Sequence, residues 1–372
     1  MIIAAVNEGP SETRVAITPD AVKQYISMGF SVQIEKDAGL LAGFTDKQYK
    51  DAGASISTSS KTLLPKANIL LLVNEPNPTF LKELSKESLI IAPVNKDAES
   101  KLIQFCTQHQ LSLFSMLLIP RISRAQSLDS LSSQANLAGY RAVIEAISHY
   151  KRAIPMMMTA AGMIHPAKVL VLGAGVAGLQ AIATAKRMGA VVYAFDVRTA
   201  AKEQVESLGA EFIEVASDEN NETAGGYASE TSDEYKKKQA ELIEKYASEV
   251  NIIISTAQIP GRKAPILLPK KAIANMKEGS VVVDLATASG GNCELSEKDK
   301  IIVKDGVTII GLANMAGLVP ATASELYATN LRHLIQHLAP KAELTFNEED
   351  EIVQAALLCH QGDYLPFQAK EI

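Results

Sequence analysis

Lys168-Val-Leu-Val-Leu172, Gly173-Ala-Gly-Val-Ala-Gly178, then Leu179 to Met188, Gly189, Val191 to Phe195 and Asp196: this run decides the fold. After Lys168 the run is Val and Leu without polar alternation, the signature of a parallel strand buried on both faces. Good helix formers follow the glycines, Gly189 stands where a helix would stop, and a second apolar run ends on an acid. Strand, glycine turn, helix, strand and acid in that order form a dinucleotide fingerprint. Gly173 allows the tight turn, Gly175 lets backbone approach a pyrophosphate, and Gly178 lets the helix pack against the strand. The N–H groups of Val176, Ala177 and Gly178 lie at the N-terminus of the helix predicted from Leu179, where free donors and the macrodipole favour anions. Asp196, 18 residues beyond Gly178, is placed to accept from adenosine ribose hydroxyls. A 2′-phosphate facing it would be repelled by about 4 kcal/mol at about 4 Å and an effective dielectric of about 20, roughly a thousandfold in binding. The expected cofactor is therefore NAD(H), with Val197 lining its site and Arg198 positioned to soften the repulsion. The competing reading is a glycine turn without a ligand.

Working outward, 372 residues allow two domains with cores of their own. A net charge of −6 and few aromatics argue against a nucleic-acid partner. Cys106, Cys293 and Cys359 are odd in number and far apart, which suggests a reducing compartment with neither a disulfide framework nor structural zinc. The N-terminus lacks a basic region and reads as a first strand, not a signal peptide. The uncharged run Val169 to Ala185 spans 17 residues, short of a bilayer crossing, so the chain is expected to be soluble.

Strands are predicted at Ile2–Val6, Ser31–Glu35, Ile69–Val73, Leu89–Ala92 and Leu111–Ser115, with a helix opened by Thr18-Pro19 and closed by Gly29, and another over Asp97–Gln108. A polar segment from Pro120 leads into a long helix, Ser133–Tyr150. After the fingerprint come strands Glu211–Val215, Asn251–Ser255, Ser280–Leu285 and Val307–Ile310, a polar excursion Ala216–Ser232 of the kind that forms lids, a second long helix Ala321–Leu338, and a terminal hairpin from Leu344–Phe346 and Ile352–Leu358. The expected fold is α/β: two doubly wound, Rossmann-like domains with parallel sheets, joined by two long helices. The first comprises residues 1–131 plus 321–372, the NAD-binding domain is 132–320, and the cleft between them is the expected site.

Several stretches are similar to one family. Pro120-Arg-Ile-Ser-Arg-Ala-Gln-Ser-Leu-Asp-Ser-Leu-Ser-Ser-Gln-Ala-Asn-Leu-Ala-Gly-Tyr-Arg-Ala-Val143, Pro155-Met-Met-Met-Thr-Ala-Ala-Gly162, Asp196-Val-Arg198, Lys202 to Gly209 and Glu222-Thr-Ala-Gly-Gly-Tyr-Ala228 resemble the NAD(H)-binding domain I of proton-translocating NAD(P) transhydrogenase, within the alanine dehydrogenase/transhydrogenase family. The resemblance implies that Arg121, Gln126, Asp129 and Ser132 hold the nicotinamide end of NAD(H). Gln and Ser are suited to a carboxamide, and Arg121 with Asp129 to an ion pair that fixes the loop. It implies that Gly226 and Tyr227 tip a mobile loop over the nucleotide, and that Gln239 and Gln258 are further contacts. Gln258 stands where the family usually has an apolar residue, and Asn314 to Val319 lacks its Pro-Ser-Arg. The family further implies a homodimer, a separate NADP(H)-binding domain or subunit as hydride acceptor, and a membrane-spanning proton-channel domain or subunit. Such a chain would sit peripherally on the cytoplasmic face of the inner membrane, in a Si-side-specific transhydrogenase active only with its partners.

The competitor is alanine dehydrogenase, which shares the opening Glu12-Thr-Arg-Val-Ala-Ile-Thr-Pro19. Oxidising an amino acid needs positioned acid and base groups. The related enzymes place a lysine before a Glu-Pro pair and a histidine after a later strand; here Leu72-Val-Asn-Glu-Pro76 and Ala92-Pro-Val-Asn-Lys96 put asparagine at both places. Direct hydride exchange between nicotinamides leaves no proton to manage. Arg14 reads as a structural ion pair, for example with Glu8, ahead of a carboxylate ligand. A third possibility is a non-catalytic NAD(H)-binding module. His333 and His337 have metal-ligand spacing but sit in the last turns of a predicted helix, where His suits the dipole, so no metal is expected. Met156-Met-Met158 reads as interface packing.

Overall fold

The computed structural model describes residues 1–97, 99–215, 232–258 and 262–365. The chain divides into two compact units: Met1–Gln134 with Gly317 onward, and Ala135–Ala316. The first opens with β1 (Ile2–Ala5), α1 (Pro19–Ser27), β2 (Ser31–Glu35), α2 (Asp46–Asp51), β3 (Ser55–Ser57), α3 (Ser60–Leu63), β4 (Ile69–Leu71), β5 (Leu89–Ala92), α4 (Lys101–Gln108) and β6 (Ser112–Ser115). Helix α5 (Ser130–His149) carries the chain into the second unit, which contains β7 (Met157–Thr159), β8 (Gly162–Ile164), β9 (Lys168–Leu172), α6 (Val176–Arg187), β10 (Val191–Phe195), α7 (Ala201–Ser207), β11 (Glu211–Phe212), α8 (Asp233–Glu249), β12 (Ile252–Ser255), α9 (Lys270–Ala274), β13 (Val281–Asp284), β14 (Ile301–Lys304) and β15 (Val307–Ile310). Back in the first unit come α10 (Pro320–Leu338), α11 (Glu351–Ala356), β16 (Leu357–His360) and β17 (Asp363–Tyr364).

The first unit's sheet runs β17-β16-β6-β5-β4-β1-β2-β3, and the second's β11-β10-β9-β12-β13-β15-β14. From β1 to β6 and from β9 to β13, with β15, neighbours are parallel. Each sheet therefore winds outward in both directions from its first strand, which puts a switch point between β1 and β4 in one unit and between β9 and β12 in the other. Ligands of open α/β sheets bind at such points, beyond the carboxyl ends of the strands.

Period-2 alternation explains why these strands are apolar throughout. Ile3, Ile69, Leu71, Leu89 and Ile91 face a core shared with α1 and α10, while Ala4, Leu70, Ile90 and Leu113 face one shared with α4. Val169 and Val171 likewise oppose Leu170 and Leu172 in the second unit. Local signals set the ends. Thr18 caps α1, accepting from the Ala21 N–H, with Pro19 in the first turn and Gly29 at φ +96° behind it.

Four expectations are corrected. The helix predicted from Asp97 begins at Lys101, because Asp97 turns the chain by accepting from the Glu99 N–H. Helix α5 starts at Ser130, ahead of the predicted Ser133. No hairpin joins Leu344–Phe346 to Ile352–Leu358: Asp350 caps the helix α11 through the Ile352 N–H, and strand follows only at Leu357. Helix α6 begins at Val176, ahead of the predicted Leu179. Met156, Met157 and Met158 are exposed, Met158 at 76%, with the last two in the β7–β8 hairpin, which the sequence pattern does not reveal. Cys106, Cys293 and Cys359 are buried free thiols. Among the described residues no helix is long and apolar enough to cross a membrane.

Candidate functional site

The glycine turn lies at the second unit's switch point. Gly173 has φ +94°, which favours glycine, and a Cβ there would meet the Thr256 hydroxyl at 2.8 Å. At Gly178 a Cβ would lie 1.8 Å from the Gly173 carbonyl oxygen, so strand and helix approach as closely as backbone permits. At Gly175, by contrast, nothing outside its chain neighbours lies within 4 Å of a Cβ. No side chain caps the start of α6, so the N–H groups of Val176, Ala177 and Gly178 face that open side as a phosphate would require. These features fit a dinucleotide. Thr256, which carries no signal in the sequence, is the first residue after β12; its hydroxyl donates to the Gly173 carbonyl at 3.0 Å and pins the turn from the neighbouring strand.

Asp196 ends β10 beside this turn. Its Oδ2 accepts from the Ala174 N–H at 2.7 Å, and Arg198 closes on it with Nε to Oδ1 and Nη2 to Oδ2, each 2.9 Å. The arginine is thus more than a softening neighbour: its fork compensates the charge on which the repulsion argument rests. Val197 lies half-buried between them. Gln258 is exposed and donates to the Leu285 carbonyl at 3.0 Å, linking the ends of β12 and β13. Beneath it, buried Asn292 accepts from Ser255 and donates to the carbonyls of Ala257 and Pro265, all at 2.8 Å. Gln239 is 8% exposed on the inward stripe of α8 with Tyr235 and Ile243, not among the solvated lysines beside it. Gly226 and Tyr227 lie outside the described residues.

The first unit holds the segment from Arg121 to Ser132. A 3₁₀ turn, Ser123–Leu128, buries Ala125 and Leu128 and leaves Arg121, Arg124 and Gln126 exposed. The expected Arg121–Asp129 pair does not form. Asp129 instead takes the Ser132 N–H at 2.9 Å and the Ser132 hydroxyl at 2.5 Å, capping the start of α5. His333 Nδ1 contacts the Ser127 carbonyl at 3.3 Å and His337 binds Asp350, so each imidazole has a protein partner. Among the described residues no cluster of His, Cys, Asp and Glu could hold a metal.

The first unit's switch point is filled by its own side chains. Glu8, beyond β1, accepts from the Val73 and Asn74 N–H groups beyond β4 at 2.7 and 2.8 Å. The Asn74 amide also bridges Glu8 and Glu12, at 3.1 and 3.0 Å. Arg14 pairs with Glu12 and not Glu8, through Nε and Nη2 at 2.8 Å each, and its Nη1 donates to Gln134 at 2.9 Å. Burial pushes Glu8 up to about 7, against the pull of those backbone and Asn74 bonds. Burial works the same way on Glu12, but the Arg14 fork outweighs it and holds Glu12 below the ordinary carboxylate range. A group titrating near neutrality therefore exists here, which the two asparagines do not suggest. Both its oxygens already face donors within the fold.

Comparisons with known proteins bear on this geometry. Residues 5–138 match the family profile "Alanine dehydrogenase/PNT, N-terminal domain" and residues 142–366 "Alanine dehydrogenase/PNT, C-terminal domain". The chain is similar to the first of the parts into which the NAD(P) transhydrogenase alpha subunit of Rickettsia prowazekii is divided, 44% identical over 374 residues that cover 100% of this chain and 97% of the relative. It is similar in structure to a transhydrogenase from Sinorhizobium meliloti, with a TM-score of 0.85 and 42% identity over 98% of this chain and 99% of that one. An L-alanine dehydrogenase follows at a TM-score of 0.81 and 25% identity, covering 98% of this chain and 97% of that one. The chain belongs to the alanine dehydrogenase/PNT family and, within it, to the transhydrogenases, oxidoreductases built on an NAD-binding Rossmann fold.

Proposed function

We propose that this chain is the NAD(H)-binding component of a proton-translocating, Si-side-specific transhydrogenase. Hydride passes from NADH directly to NADP+ held on a separate NADP(H)-binding domain or subunit, giving NAD+ and NADPH. A membrane-spanning domain or subunit couples the transfer to proton movement and tethers the chain to the cytoplasmic face of the inner membrane. NAD(H), when bound, supplies the hydride chemistry; the chain's residues bind and orient it. The N–H groups after Gly175 take the pyrophosphate, Asp196 with Val197 and Arg198 the adenosine ribose, and Arg121, Gln126, Asp129 and Ser132 the nicotinamide end. Gly226, Tyr227, Gln239 and Gln258 complete the contacts. A homodimer is part of the proposal, supported by the exposed apolar hairpin β7–β8.

The observation that carries the reading is the first unit's switch point. An amino-acid dehydrogenase needs a free cation for the substrate carboxylate and a proton carrier facing the reacting carbon. Arg14 is engaged by Glu12 and Gln134, and Asn74 by two carboxylates. That arrangement suits a reaction with no proton to manage. The test mixes the chain with NADH and the NADP(H)-binding component of a transhydrogenase, following reduction of thio-NADP+. Transfer is expected there, with no reduction of NAD+ by alanine. Robust alanine oxidation would overturn the reading in favour of a dehydrogenase, and absence of both activities in favour of a non-catalytic module.

A further inference from the structure

The turn Ser123–Leu128 is polar and short, and isolated 3₁₀ turns have poor hydrogen-bond geometry, so something else must hold it. Part of the hold is apolar, through buried Ala125 and Leu128. Another part comes from α10. The Asn330 amide donates to the Ser127 carbonyl at 2.8 Å, and His333 Nδ1 reaches the same oxygen. Arg332 lies 2.6 Å from His333 Nε2 and can only donate, which leaves Nδ1 as the proton-bearing nitrogen toward Ser127.

The third hold is ionic. Arg124 Nη2 lies 2.8 Å from Asp350 Oδ1 and 3.1 Å from Glu351 Oε2. Asp350 is not a surface acid met by chance: its side chain is 9% exposed, it caps α11 through the Ile352 N–H at 3.0 Å, and its other oxygen binds His337 of α10. One carboxylate therefore ties the turn, α10 and α11 together within the first unit. Arg124 links that carboxylate to the turn, and its position between Arg121 and Gln126 sets where both of those side chains emerge.

We propose that Arg124 is a positioning residue for hydride transfer, holding Arg121 and Gln126 in register through Asp350. The proposal rests on the reading of the Arg121–Ser132 segment as the nicotinamide site. Arg124 contributes no contact to the cofactor; it restricts the turn to one placement, and transfer between two rings is sensitive to placement on the ångström scale. A structural pair at this exposure adds little to global stability, so rate and stability should separate.

The experiment uses the full chain with NADH, the NADP(H)-binding component and thio-NADP+. Arg124→Gln and Asp350→Asn each lower the transfer rate at saturating NADH about tenfold, and the double variant is no slower than the worse single one. Arg124→Lys, which keeps the charge, recovers a substantial part of the rate. Asparagine is as good an N-cap as aspartate, so α11 persists in Asp350→Asn, and the unfolding midpoint of the Arg124 variants stays within about 2 °C of wild type. Wild-type rates in Arg124→Gln, or single-variant losses that multiply in the double variant, overturn the proposal. A wild-type chain that gives no transfer overturns the functional reading and the proposal with it, whereas wild-type transfer with an unaffected Arg124→Gln overturns the proposal alone.

Discussion

Gly175 and Gly178 are three residues apart and equally glycine, but their surroundings differ. A methyl group at Gly178 would press on the Gly173 carbonyl, whereas at Gly175 it meets open space. Gly178→Ala should cost about 1–3 kcal/mol of stability, the usual range for overpacking, and abolish NADH binding. Gly175→Ala should fold normally and lose binding alone; parallel thermal melts and NADH titrations check the contrast. The Asp196–Arg198 fork gives a second residue-scale expectation. With its counter-charge removed, Asp196 should repel a 2′-phosphate more strongly, so Arg198→Gln raises the NADH-over-NADPH preference about tenfold, or about 1.4 kcal/mol. An unchanged ratio of the two dissociation constants would show that charge does not set the choice. These glycines and the acid were legible because each is dictated by backbone geometry or charge within a few residues. Thr256, Asn292 and the Arg124–Asp350 link were not, since their partners lie 83, 35 and over 220 positions away in the chain.

An element is legible where one pattern rules and ambiguous where two compete. Ser31–Glu35, which alternates polar and apolar, and Val307–Ile310, a β-branched run, emerge as predicted because neither pattern has a rival reading. Ile352–Leu358 is apolar and short enough to suit either state, and its capping aspartate decides for a helical turn first. The β7–β8 hairpin escapes the sequence pattern because its apolar residues are exposed, contrary to the burial that normally reveals strands. Helix α5 carries another close approach: a Cβ at Gly139 would stand 2.1 Å from the Ala177 carbonyl. Gly139→Ala should push α6 away from the glycine turn, costing about 1–3 kcal/mol and weakening NADH binding as well. If affinity is unchanged, the start of α6 is more compliant than this contact implies.

For the whole molecule, Glu8 links folding to pH. Between its ordinary value of 4.5 and about 7, the folded chain holds a proton that the unfolded chain has released. Its contribution is therefore complete below that window and lost as pH rises through it, by roughly 3 kcal/mol in all. Glu12 and Asp350, held below their ordinary values, act in the opposite sense and lose their contribution as pH falls. Urea midpoints for wild type and Glu8→Gln at pH 5 and pH 8 test the sign: wild type should decline between them, and the variant should decline much less. Equal slopes would remove Glu8 as the cause.

The β7–β8 hairpin has a chemical consequence. Met156, Met157, Met158 and Met163 place four solvent-facing thioethers within eight residues. Dilute peroxide should convert them to sulfoxides ahead of the buried Met116, Met276 and Met315. If a second copy of the chain covers this ribbon, raising the protein concentration should slow their oxidation while leaving exposed Met188 unaffected, and mass spectrometry of the peptides would then serve as a footprint of self-association.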